Sequence, residues 1–150
     1  LDLIPAHLMP LALALVSGVL MAVQGSLNAA LSKTTGLWEA TFIVHAIGSV
    51  ILVIMIFQFG IGRGDLTAML QAPWYAYLGG IASIFIIYLV AASIPSVGVA
   101  NATTAIIVGQ VLTATVIDRF GAFGLERIPW GWNQFAGLVL LAIGAKLLLK

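Results

Sequence analysis

Side chains able to bind or move a solute are few in this sequence, and most are amides set at helical spacing. Gln24 and Asn28 stand one helical turn apart inside an otherwise apolar stretch, with Ser17 on the adjoining stripe. Asn101, Thr104 and Gln110 form a second such set. An amide donates and accepts hydrogen bonds without changing charge, so these residues either recognise a neutral or zwitterionic solute or bond one helix to another. Glu39 and His45 add titratable chemistry. Glu39 lies about one turn into a second apolar stretch, where a helix amino terminus stabilises a carboxylate; from the same place it can reach a wet vestibule, binding cations or exchanging a proton. His45 falls roughly 12 Å beyond Leu37 at a rise of 1.5 Å per residue, close to a bilayer midplane, with Thr41 and Ser49 one turn away on either side. Two roles are open to it: a neutral ring bonded to a neighbouring helix, or a proton carrier.

Other chemistries lack their residues. No nucleophile, base and orienting group recur at usable spacing, so an enzyme is not expected. His45 has no second His, Cys or carboxylate at ligand spacing, so neither a metal nor a cofactor is expected. The chain has no cysteine, which removes disulfides, thiolate catalysis and sulfur-ligated metals. A net charge of +1 offers no basic patch for nucleic acid. Asn101-Ala102-Thr103 matches a glycosylation acceptor but lies within an apolar stretch rather than an exposed loop. Arg63-Gly64-Asp65 and the glycines at 60, 62 and 64 resemble an adhesion tripeptide and a phosphate loop, and the residues around them support neither.

The elements that must position these groups are membrane spans. Residues are 62% hydrophobic and 7% charged, which no water-soluble domain of this size needs. A spanning helix takes about 20 mainly apolar residues to cross a hydrocarbon core of roughly 30 Å. Five windows qualify: Leu8 to Leu31, Leu37 to Phe59, Trp74 to Ser93, Val97 to Ile117 and Trp132 to Leu149. The expected fold is therefore all-α, a single five-helix transmembrane domain over residues 1–150 that leaves no room for an extramembrane domain. The first window continues past any signal-peptide length, so it reads as a span rather than a cleaved leader. Lys33-Thr34-Thr35-Gly36 reads as a tight turn, and Gly60 to Pro73 as the longest polar segment. Ile94-Pro95-Ser96 is expected to break the chain between spans three and four, making them antiparallel neighbours. Trp38, Trp74, Tyr75, Tyr77, Trp130 and Trp132 gather at the ends of these windows, where amphipathic rings settle among headgroups.

Two spans carry stripes of small residues. Gly18, Ala22, Gly25 and Ala29 recur in the first and Gly98, Ala102, Ala105 and Gly109 in the fourth, each at spacings of three or four that permit close backbone approach. Gly137 and Gly144 give the fifth a weaker version. Asp118 and Arg119 are expected to anchor the end of span four at the interface, and Lys146 to snorkel from span five.

Positive charge is divided evenly between the two faces that five crossings define. Arg63, Arg119 and Arg127 fall on one face, and Lys33, Lys146 and Lys150 on the other. The positive-inside rule then has no preferred orientation, and copies inserted both ways can pair about an axis in the membrane plane to give ten helices with inverted symmetry. A single further lysine from a missing terminal segment would decide the orientation instead.

VQGSLNAAL (Val23 to Leu31), PWYAYLGG (Pro73 to Gly80) and IPSVGVANATTAIIVGQVLTATVIDRFGAFG (Ile94 to Gly124) resemble the YdcZ-type branch of the drug/metabolite transporter superfamily, over nearly the whole chain. The most specific part is Gly109-Gln110 followed by Ile117-Asp118 and Phe120-Gly121. GLVLLAIGA (Gly137 to Ala145) is similar to the terminal dimerising helix of small multidrug resistance proteins. The resemblance implies a multi-pass protein of the bacterial inner membrane whose oppositely oriented five-helix units form one transporter. It supplies no substrate. The central first-helix glutamate of the small multidrug resistance proteins has no counterpart, since Gln24 or Asn28 occupies the comparable place.

These readings converge on an alternating-access carrier of small molecules, built as an antiparallel homodimer or with a homologous partner, embedded in lipid. Gln24, Asn28, Asn101 and Gln110 are the expected substrate ligands, and Glu39 or His45 the expected proton site. A dual-topology channel and a non-transporting packing subunit remain as alternatives. The charge balance generates a direct prediction. Cysteines placed singly at Thr35 and at Ala122 in this thiol-free background should each react in about half of the molecules with an impermeant reagent applied to intact cells. All-or-none labelling at both sites would mean one orientation.

Overall fold

Short, single-residue connections between long helices shape this chain. A computed structural model describes residues 8–62 and 64–149, so Arg63 and Lys150 of the charge count, and His7, lie outside the described residues. All regular structure among the described residues is helical: α1 (Leu8–Thr35), α2 (Leu37–Val53), α3 (Leu78–Val97), α4 (Val99–Phe120) and α5 (Trp132–Leu148). A π-helical turn, Ile54–Gln58, prolongs α2, and 3-10 turns at Leu66–Gln71, Trp74–Tyr77 and Ala122–Gly124 fill the connections. Four helical stretches are long and apolar enough to cross a membrane: Leu8–Thr35, Leu37–Gln58, Trp74–Val97 and Val99–Phe120. α5 is apolar but shorter; its 17 residues span roughly 26 Å at 1.5 Å each.

The chain divides into two compact units between Pro95 and Ser96. In the first, α1 and α2 are joined through Gly36 alone. Lys33, Thr34 and Thr35 were expected to turn, yet the helix continues through them, because the Thr35 hydroxyl donates to the Leu31 carbonyl at 3.0 Å and the Gly36 amide to that of Ser32 at 3.0 Å. Lys33 then sits in the last turn, where a cation complements the helix dipole. Gly36 adopts φ 98°, ψ 158°, a region essentially closed to residues with a Cβ. Its carbonyl accepts from the Ala40 amide at 3.0 Å and so starts α2.

Buried residues in this unit are almost all small. Ala29, Ala40 and Ala91 are buried together with Gly25, Asn28, Thr41 and Ile94, whereas Leu15, Phe42 and Leu89 are exposed. Helices that pack through their small residues and turn bulky side chains outward suit a hydrocarbon solvent, where close backbone approach rather than apolar burial holds helices together. α3 meets its neighbours through side chains: Val90 and Ile94 lie against Gly25 of α1, and the rings of Trp38 and Tyr88 stack with centroids 4.4 Å apart.

Between the spans, Asp65 caps a 3-10 turn, accepting from the Thr67 amide at 2.8 Å and from its hydroxyl at 2.7 Å. The Thr67 hydroxyl and then its amide hold the Asp65 carboxyl below the usual carboxylate range, so this cap persists above that range and is lost only as pH falls through the lowered value. The Tyr77 hydroxyl donates to the Met69 carbonyl and folds the segment back on the start of α3.

Pro95 does not break the chain where expected. α3 continues through it to Val97, as spanning helices tolerate a proline when local groups adjust, and the interruption falls instead at Gly98. Gly98 adopts φ 84°, ψ 161°, nearly the Gly36 conformation, and its carbonyl likewise receives the amide four residues on, that of Ala102, at 3.0 Å. It is a connector and not a rung of the helical stripe that its spacing predicts. After each glycine the sequence repeats loosely, Glu39-Ala40-Thr41 and Asn101-Ala102-Thr103, and both alanines are buried.

The second unit packs α5 on α4. Gly121 ends α4 in the left-handed region at φ 60°, ψ 39°. The connection then returns over the end of α4: Ile128 N–H donates to the Asp118 carbonyl at 2.9 Å, Arg127 Nε–H to that of Phe120 at 3.2 Å, and Trp130 Nε1–H to that of Thr115 at 3.3 Å. Arg127 therefore serves the negative end of a helix dipole. The Gln134 side chain accepts from the Gly131 amide at 2.9 Å and opens α5.

Gly98→Ala isolates the dihedral requirement, because an added Cβ there meets nothing within 4 Å. It should destabilise the detergent-solubilised chain by about 1 to 3 kcal/mol in a denaturant titration. Gly48→Ala, equally unobstructed but inside α2, should leave stability unchanged or raise it by up to about 1 kcal/mol.

Candidate functional site

Most hydroxyls in the spans are satisfied within their own helix. Ser17 donates to Ala14, Ser26 to Ala22, Thr41 to Leu37, Thr104 to Ala100 and Thr115 to Val111, each to a carbonyl three or four residues earlier. A back-bonded hydroxyl has spent its proton and adds little to recognition.

Asn28 differs. It is only 5% exposed, lies between Gly25 and Ala29 on the packed face of α1, and its amide makes no hydrogen bond among the described residues. Its polar atoms are nonetheless not sealed from a small probe. A buried amide without a partner is destabilising by about 1 to 3 kcal/mol unless something outside the chain bonds to it. Gln24, one turn earlier, is exposed. On α4, Asn101 is half-buried, and its Nδ2 donates to the Val97 carbonyl at 3.0 Å, bridging the Gly98 connection. Gln110 is exposed. Gln24 and Asn28 thus belong to the first unit and Asn101 and Gln110 to the second.

Glu39 is exposed at the amino end of α2, and its carboxylate folds over Gly36, where an added Cβ would collide with it. It makes no capping hydrogen bond, so its tie to the helix end is through the dipole alone. His45 is fully engaged. Nδ1 lies 2.8 Å from the Thr41 carbonyl and Nε2 3.0 Å from Ser83 Oγ on α3, while Ser83 Oγ in turn lies 2.7 Å from the Gly80 carbonyl. Ser83 escaped the sequence reading because its partner lies 38 residues away; the only signal was a lone serine in an apolar run.

Of the small-residue stripes, Gly25 and Ala29 are buried, Ala22 is half-buried and Gly18 is exposed with nothing within 4 Å of an added Cβ. On α4, Ala102 is buried while Ala105 and Gly109 are exposed. On α5, Gly137 is exposed and Gly144 half-buried beside buried Ala145.

Four apolar helices of spanning length, a fifth shorter one, and polar groups concentrated on their packed faces define a multi-pass membrane protein. Residues 9–147 match the family described as "Putative inner membrane exporter, YdcZ", and the chain belongs to that family. Its location is accordingly the inner membrane. Comparisons with curated proteins and with solved structures returned no match.

Close packing at Gly25 makes a second stability prediction. A Cβ there would come within 2.9 Å of Val90 Cγ1 and 3.2 Å of Ile94 Cδ1, so Gly25→Val should destabilise by about 1 to 3 kcal/mol in the same titration. Gly18→Val should change stability by no more than about 0.5 kcal/mol in monomeric preparations.

Proposed function

We propose that this chain is a small-molecule transporter working by alternating access, with two oppositely inserted copies forming one ten-helix carrier and α5 acting as a fifth span. The observation that carries the reading is Asn28: a nearly buried, unpartnered amide on the packed face of a membrane helix. Such a group is retained at a cost in stability, which binding a solute or a partner's polar group offsets. Membership of an exporter family supports transport over a purely structural role. The even division of Lys and Arg supports insertion in both orientations, and antiparallel pairing would then present every ligand twice about a pathway near the midplane.

In this reading Asn28 and Gln24 of α1 and Asn101 and Gln110 of α4 hydrogen-bond the substrate. Amides carry no charge, so the substrate class is neutral or zwitterionic, and Glu39 stays outside the binding step as a helix-end charge.

The test is flux in liposomes, with a panel of radiolabelled neutral and zwitterionic solutes. Saturable exchange is expected for at least one of them. Asn28→Leu, of similar volume, should reduce it at least tenfold while leaving the unfolding midpoint unchanged or raised. Unsaturable flux well above about a thousand molecules per second would mean a pore, since access changes take microseconds or longer. Full activity in Asn28→Leu would remove the amide from the mechanism.

A further inference from the structure

We infer that His45 and Ser83 together form a proton-binding site linking α2 to α3. The argument begins with Nδ1, 2.8 Å from the Thr41 carbonyl. A carbonyl only accepts, so Nδ1 carries hydrogen in every state that keeps this bond. The neutral ring then presents Nε2 as a bare lone pair, 3.0 Å from Ser83 Oγ. Ser83 has one hydroxyl proton and two acceptors competing for it, Nε2 and the Gly80 carbonyl at 2.7 Å. One acceptor is always left unserved.

A proton added to Nε2 resolves that conflict. Nε2–H donates to Ser83 Oγ, the Ser83 hydroxyl donates to Gly80, and Nδ1–H still donates to Thr41, giving three hydrogen bonds where the neutral state makes two. The bond between the helices becomes charge-assisted, and such bonds are roughly twice as strong as neutral ones. The additional hydrogen ion comes from solvent and returns to it; no other bond is made or broken. The remaining titratable side chains in the described parts of α1, α2 and α3 are Lys33, Glu39 and Tyr88. None of them hydrogen-bonds the ring. Tyr88 stacks on Trp38 and Glu39 lies over Gly36.

A bond between helices that strengthens on taking up a proton can bias one arrangement of α2 and α3 over another. That coupling role rests on the carrier reading above, whereas occupancy of the site does not.

Nitrogen-15 NMR of histidine-labelled protein in bilayers tests occupancy directly, with His45→Gln identifying the ring's signals apart from those of His7. At high pH a single proton on Nδ1 is expected, and a second on Nε2 as pH falls between about 8 and 4. At a fixed pH within that transition, Ser83→Ala should lower the ratio of doubly to singly protonated ring about tenfold or more, and Ser83→Thr should restore it. A neutral ring protonated on Nε2, no second proton anywhere in that range, or an unchanged ratio in Ser83→Ala would each overturn the proposal. Absence of solute flux in liposomes would count against the carrier and leave this titration untouched.

Discussion

Hydrocarbon contains no water to satisfy a peptide group, and that constraint governs the whole chain. Backbone amides and carbonyls are paired within helices, and the connections between helices are reduced where possible to one residue. Gly36 and Gly98 achieve this by adopting a backbone conformation that other residues reach only under strain, with the carbonyl of each passing directly into the next helix. Hydroxyl side chains obey the same rule by bonding back to their own helix. Polar groups that do not, such as Asn28 and the His45–Ser83 pair, stand out as places where the solvent's demand is met by something else.

Packing has the same origin. Lipid tails are as apolar as leucine, so burying a large side chain gains little, and the helices associate where alanine and glycine let backbones approach. Ala29, Ala40 and Ala91 accordingly lie buried while bulky residues on the same helices face outward. Asn28 and Thr41 share that small-residue interior, which brings polar chemistry to the packed faces and away from lipid.

Span content was readable because apolar length is a coarse property: α1, α2 and α4 begin and end within a few residues of their expected limits. Connections were harder to read. Pro95 carries a strong breaking signal, but proline removes only one donor and a spanning helix absorbs it, whereas the positive φ that interrupts the path requires glycine, three residues later. The amides were found from composition and spacing, yet their states were not legible, because burial and partnership are tertiary. Asn28 is covered and Gln24 exposed although one turn separates them. Ser83 was invisible without the fold, since nothing in its own neighbourhood marks it as the partner of His45.

The π-helical turn at Ile54–Gln58 has its own consequence. Its wider winding accommodates a residue more per turn than the regular helix before it, rotating the residues beyond Gln58 relative to α2. Insertion or deletion of one amino acid there would therefore be absorbed by tightening or loosening that turn, while the same edit near Ala40 would twist Thr41 and His45 away from their neighbours. The carboxyl-terminal end of this span is thus a place where the family's lengths can drift without disturbing register at the other end.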